Sequence, residues 1–85
     1  MPSFFFTKFA LKKLRKLDRE TQERILQKLG RLKKHEHFSA LLKPLQDVDA
    51  KTHRLRIGDY RVLLEQAGQE LYHILNVGHR SEIYR

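Results

Sequence analysis

The stretch Thr52-His53-Arg54-Leu55-Arg56-Ile57-Gly58-Asp59-Tyr60-Arg61-Val62 alternates polar and apolar residues on both sides of a Gly-Asp pair. A period of two broken by such a pair reads as a β-hairpin with one apolar face. With Gly58 and Asp59 as the loop, Ile57 pairs with Tyr60, Arg56 pairs with Arg61, and Arg54 shares the side of Arg56. Leu55, Ile57, Tyr60, Val62 and Leu64 take the other face. Three guanidiniums then crowd one face of a two-stranded ribbon, with no carboxylate among them. Like charges placed opposite one another destabilise a sheet. Such a cluster persists where a polyanion binds it, or where acids from elsewhere neutralise it.

The charge balance favours the first of these. Lys and Arg number 18 against 10 Asp and Glu, a net charge of +8. That excess makes a polyanion the leading class of partner: nucleic acid, ribosome, acidic protein or anionic membrane. Residues 8–34 hold eleven basic side chains against Asp18, Glu20 and Glu23. The 40% hydrophobic content is enough for one core, so the 85 residues read as a single domain, 1–85, rather than a disordered basic tail. Without cysteine there is neither a disulfide framework nor a thiolate metal site, and a reducing compartment fits. No apolar run approaches the ~18–20 residues of a membrane span, and no secretory leader is visible. A cytoplasmic protein with no membrane partner is the expectation.

Phe4-Phe5-Phe6 reads as a buried opening strand, as core rather than a base-stacking platform. Thr7 is the expected N-cap of a helix to about Leu17, with Ala10, Leu11, Leu14 and Leu17 as its apolar stripe. Asp18 caps or breaks the chain, and a second helix runs from about Arg19 to Lys34 with Ile25, Leu26, Leu29 and Leu32 on one face. Gly30 weakens that helix by about 1 kcal/mol relative to Ala. The two are expected as an antiparallel hairpin. Residues 35–51 read as an irregular connection anchored by Leu41-Leu42. His35 and His37 suit helix C-capping better than metal ligation. A last strand from about Leu71 to Val77 is apolar on both faces, as a central strand is, and Gly78 ends it before a short tail. His53 and His73 read as hydrogen-bonded strand residues. The expected fold is α+β: an N-terminal strand, a helical hairpin and a three-stranded meander in a twisted, mainly antiparallel sheet.

The pattern Phe9-Ala10-Leu11-Lys12-Lys13-Leu14 into Leu17-Asp18, the segment Leu42-Lys43-Pro44-Leu45, the hairpin, and the ending Val77-Gly78-His79-Arg80-Ser81-Glu82-Ile83-Tyr84 carry a resemblance in their order and spacing. Together they resemble the RelE/ParE toxin superfamily, the RelE branch in particular, over essentially the whole chain. The resemblance implies a β-α-α-β-β-β fold and a toxin of a toxin–antitoxin pair. It further implies a ribosome-dependent mRNA endoribonuclease that inhibits translation, with mRNA in the ribosomal A site, rRNA and a small acidic RelB-like antitoxin as partners. Arg54 and Arg56 fall where the family has basic residues, often lysines; Arg61, Arg80 and Tyr84 match an arginine of the third strand, the arginine after the final strand and the tyrosine of the tail. Lys43 and Lys51 join the hairpin arginines in the expected RNA-binding set. The chain departs from the family in having arginine at both second-strand positions and in lacking the C-terminal helix that some members carry.

Metal-free RNA cleavage, with no cofactor, uses the 2′-OH as internal nucleophile. It needs a base, positive charge on the transition state and a proton donor for the leaving 5′ oxygen. The arginine fork donates two hydrogen bonds to phosphate oxygens, but its pKa is too high for a base. Arg54 and Arg56 are therefore assigned electrostatic work. The resemblance favours Tyr84 as base, its pKa lowered by neighbouring guanidiniums; His79 is the competitor, as acid, substitute base or substrate contact. Either Arg80 or Arg61 suits the leaving group. The same arginines also fit a solvated strand face, and a terminal tyrosine commonly packs on a sheet edge. Two rival functions follow: a ParE-like toxin of the same fold that inhibits gyrase, and a basic nucleic-acid-binding module without chemistry.

Overall fold

The computed structural model describes residues 2–34, 43–44 and 52–83. The histidines at 35 and 37, the leucine anchor at 41–42, Lys51 and Tyr84 lie outside these residues. Strand β1 (Ser3–Phe6) leads into helix α1 (Lys8–Arg15), whose N-cap is Thr7: its hydroxyl accepts the Ala10 N–H at 3.1 Å. Lys12, Lys13 and Arg15 occupy the last turn, where cations complement the helix dipole. The helix closes before Leu17 because Lys16 and Leu17 donate their N–H groups to carbonyls three residues back, those of Lys13 and Leu14. This tighter winding is common at helix ends.

Asp18 has extended backbone (φ −64°, ψ 157°) and starts α2 (Arg19–Leu32), accepting from the Thr21 N–H at 3.3 Å and from the Thr21 hydroxyl. The hydroxyl bond is the main cause of a lowered Asp18 pKa. Gln22 reaches back to the Leu17 carbonyl at 2.8 Å, satisfying one acceptor left over where α1 ends. Thr21, Ile25, Leu29 and Leu32 are buried at helical spacing. Leu26 departs from the expected stripe and is 47% exposed.

The sheet has the order β1-β5-β4-β3-β2, from β2 (Lys43–Pro44), β3 (Thr52–Ile57), β4 (Tyr60–Gln66) and β5 (Leu71–His79). β1 runs parallel to β5 and the other pairings are antiparallel. The α+β architecture is the expected one, with three differences. Residues 43–44, read as irregular connection, pair with β3. The last strand continues through Gly78 to His79, and its tail forms a short helix, α3 (Arg80–Ile83). Phe5 is not core: it lies opposite His73 on the sheet face away from the helices and is 57% exposed, while Phe4 and Phe6 pack on the core.

An irregularity in β5 explains where its last residues point. Leu63 pairs with Asn76 but Leu64 pairs with Ile74, leaving Leu75 as an extra residue. Ile74 and Val77, three apart, would face opposite sides of a regular strand. The bulge lets both join Leu64 and Val62 in the core, all four fully buried. Ala10, Leu14, Ile25, Leu29, Leu32, Leu55, Ile57 and Tyr72 complete that core. Burial raises the Tyr72 pKa, with Glu70 adding to the shift. None of the described helices is long and apolar enough to cross a membrane.

Candidate active site

The hairpin has the register that its alternation predicts. Ile57 pairs with Tyr60, Arg56 with Arg61 and Leu55 with Val62. Gly58 adopts φ +60°, the backbone that two-residue hairpin loops require and that glycine adopts at no steric cost. Leu55, Ile57, Val62 and Leu64 are buried and Tyr60 packs on them. Alternation therefore puts Arg54, Arg56 and Arg61 on the opposite face, together with Leu63 and, farther along, Glu65. β2 extends this ribbon, with Lys43 as the register partner of Arg54.

The arginines are held differently. Arg61 curls back over the turn, its Nη1 donating to the Gly58 carbonyl at 3.0 Å and to the Tyr60 carbonyl at 2.9 Å. Arg54 is half-buried and Arg56 is exposed. Ion pairs among the described residues include Lys13–Glu82, Arg19–Glu23 and Arg24–Glu20. Across the Arg56–Arg61 pair the Cβ atoms of such neighbours stand about 4.5–5.5 Å apart, close enough for one phosphate to reach both side chains.

The end of β5 brings the tail to the same turn. Gly78 is the register partner of Arg61, and His79 that of Tyr60. The Arg80 N–H donates to the Asp59 carbonyl at 2.8 Å, pinning the start of α3 to the hairpin loop. Arg80 is exposed. Ile83 folds back over Gly78, where an added Cβ would lie 3.3 Å from its Cγ1. Glu82 approaches Lys13 of α1 at 3.9 Å.

His79 is placed apart from the arginines. Its pairing with Tyr60 puts it on the core side of the sheet, where its ring meets Tyr60 edge-on, with centroids 5.5 Å apart and planes at 83°. Its Nδ1 accepts the Ser81 N–H at 3.2 Å and lies 2.9 Å from the Ser81 hydroxyl. Among the expected site residues, then, Arg56, Arg61 and the start of α3 come together at the Gly58-Asp59 turn, with Arg54 one step down the strand. Lys51 and Tyr84 lie outside the described residues. His53 faces the core side with its Nδ1 buried and without a hydrogen bond, against the expectation of a satisfied strand histidine. Two contributors went unread in the sequence: the Asp59 carbonyl, as backbone, carries no sequence signal, whereas Ser81, two residues after His79, fits a side-chain cap.

Residues 4–84, nearly the whole of this arrangement, match the family described as ParE toxin of type II toxin-antitoxin system, parDE. The chain belongs to this family. Among solved structures the toxin is similar to a chain of the RelBE2 toxin–antitoxin complex of Mycobacterium tuberculosis, at 28% identity and TM-score 0.78, over 95% of this chain and 93% of that one. It is similar to the isolated RelE toxin of E. coli at 22% identity and TM-score 0.73, over 99% of this chain and 92% of that one. YafQ of E. coli matches in full length on both sides, 100% and 100%, at 14% identity and TM-score 0.67. Identities as low as those to the RelE and YafQ structures establish a shared fold only. No curated protein matches the toxin. The resemblance seen in the sequence is thus upheld at the level of a type II toxin with the RelE/ParE fold.

Proposed function

We propose that this toxin cuts mRNA on the ribosome. One observation carries the reading: Arg56 and Arg61 stand directly opposite each other on the sheet face away from the core, beside the loop that also pins Arg80. Like charges in opposed positions burden a sheet, and a phosphodiester bound between the two guanidiniums offsets that repulsion. The 2′-oxygen attacks the adjacent phosphorus, the bond to the 5′-oxygen breaks, and the products are a 2′,3′-cyclic phosphate and a 5′-hydroxyl. The 2′-hydroxyl proton passes to a base and the leaving oxygen takes up a proton, so atoms and charge balance. Arg56 and Arg61 take the charge that builds on the phosphoryl oxygens, and Arg54 and Lys43 extend the contact along the RNA strand. Arg80 serves the leaving group and Tyr84, on the family resemblance, removes the proton. The ribosome aligns the substrate, which by itself lowers such barriers substantially.

Several of the similar solved structures are complexes with antitoxins: RelBE2, RelB-RelE of Methanococcus jannaschii and DinJ-YafQ of E. coli. We extend this to an acidic antitoxin for the present toxin, complementing its charge of +8. The parDE description of the matched family favours a second reading, inhibition of DNA gyrase without chemistry. Ribosomes programmed with a defined mRNA, incubated with the toxin and mapped for new 5′ ends, separate the two when gyrase supercoiling is followed in parallel. New ends within the A-site codon support cleavage. Blocked supercoiling with intact mRNA overturns it in favour of the second reading.

A further inference from the structure

We infer that His79 is a positioning residue: it caps α3 and so holds Arg80 at the hairpin turn, and it does not carry the proton in the reaction. The inference rests on the cleavage reading above. A backbone N–H can only donate, so the Ser81 N–H bond to Nδ1 requires a lone pair on that nitrogen. The neutral ring must then bear its hydrogen on Nε2. Nδ1, which faces the tail, is occupied by the cap, and the ring lies against Tyr60 on the sheet face opposite Arg56 and Arg61.

The cap matters because α3 has only four residues, far below the length at which a helix supports itself. Among the described residues α3 is held by contacts on different neighbours: the Arg80 N–H to the Asp59 carbonyl, the Ser81 N–H to His79, Ile83 over Gly78, and Glu82 toward Lys13. The last joins a half-buried Lys13 to an exposed Glu82 at 3.9 Å, at the limit of an ion pair, and contributes little. The cap therefore carries a large share. Ser, Thr, Asp and Asn ordinarily fill the N-cap, so histidine here is a substitute that asparagine can replace.

The test compares His79→Asn with His79→Ala in single-turnover cleavage on programmed ribosomes. Asparagine supplies an acceptor to Ser81 but no titratable ring. The Asn variant should stay within about threefold of wild type, while the Ala variant should fall about tenfold, the size of a lost cap, in rate at saturating ribosomes and not in half-saturating concentration. Gly78→Ala presses on Ile83 without touching the ring and should slow the reaction in the same way. Equal loss in the Asn and Ala variants, removal of a limb of the pH–rate profile in both, or wild-type rates in all three would overturn the inference. Nitrogen-15 spectra of the wild-type ring decide the cap independently: the expected neutral form is protonated at Nε2, and protonation at Nδ1 refutes it. Wild-type toxin that cuts nothing sinks the cleavage reading, while those spectra still decide the cap.

Discussion

Arg56 and Arg61 face each other across the β3–β4 pair, so the side chains proposed to bind a phosphate also burden the sheet. Replacing one should uncouple stability from function. Arg56→Ala is expected to leave the unfolding free energy unchanged or raise it by up to about 1 kcal/mol, the scale of a relieved cross-strand repulsion, measured by urea denaturation, while cleavage falls. A loss of stability would mean that Arg56 is a structural residue. Arg61 also clamps the Gly58 and Tyr60 carbonyls, which makes it the poorer probe. This face was legible because a two-residue turn sets register, and register alone assigns every side chain of a hairpin to a face. His79 was not legible in the same way. Its side depends on the extra residue at Leu75, and a bulge leaves no signature in the alternation of a strand that is apolar on both faces.

At the scale of elements, the caps and the turn make separable predictions. Thr7→Ala removes the acceptor for Ala10 and should cost about 1 kcal/mol, or about 4–8 °C in Tm for a domain of this size. Asp18 acts through pH as well. Its folded pKa lies below the ordinary 3.8 because the Thr21 hydroxyl holds the carboxylate. Its contribution is therefore complete above that value and is lost as pH falls through the depressed folded pKa. Acid unfolding curves should show this, and Asp18→Asn should remove that part of the slope while keeping a cap. Gly58→Ala meets no atom within 4 Å, so its cost comes from φ +60° alone, about 1–2 kcal/mol. A neutral result would mean that the loop changes conformation. Both caps and the glycine turn were legible, since each is a local rule written in one or two residues. The extension of the last strand through Gly78 and the exposure of Phe5 were not, because both are set by neighbours distant in sequence: Arg61 and Tyr60 pair with Gly78 and His79, and β1 adds in parallel at the sheet edge.

For the whole molecule, the charge of +8 should appear as salt dependence. Ribosome association should weaken steeply with ionic strength, and Arg56→Ala should reduce the log–log slope by about 0.7, the value of one single-strand phosphate contact. An unchanged slope would remove Arg56 from the contact. The α+β class followed from the order of elements, and the family match over residues 4–84 agrees with a resemblance carried by several short segments rather than by one motif. The central claim, that opposed guanidiniums across the hairpin stabilise the charge of a cleaved phosphodiester, is tested most directly by single-turnover cleavage on programmed ribosomes by the wild type and by Arg56→Ala and Arg61→Ala at saturating toxin. Loss of a donor aimed at developing charge should slow the step about 10²- to 10³-fold, with any residual product still ending in a 2′,3′-cyclic phosphate. Rates within a few-fold of wild type for both variants would contradict it.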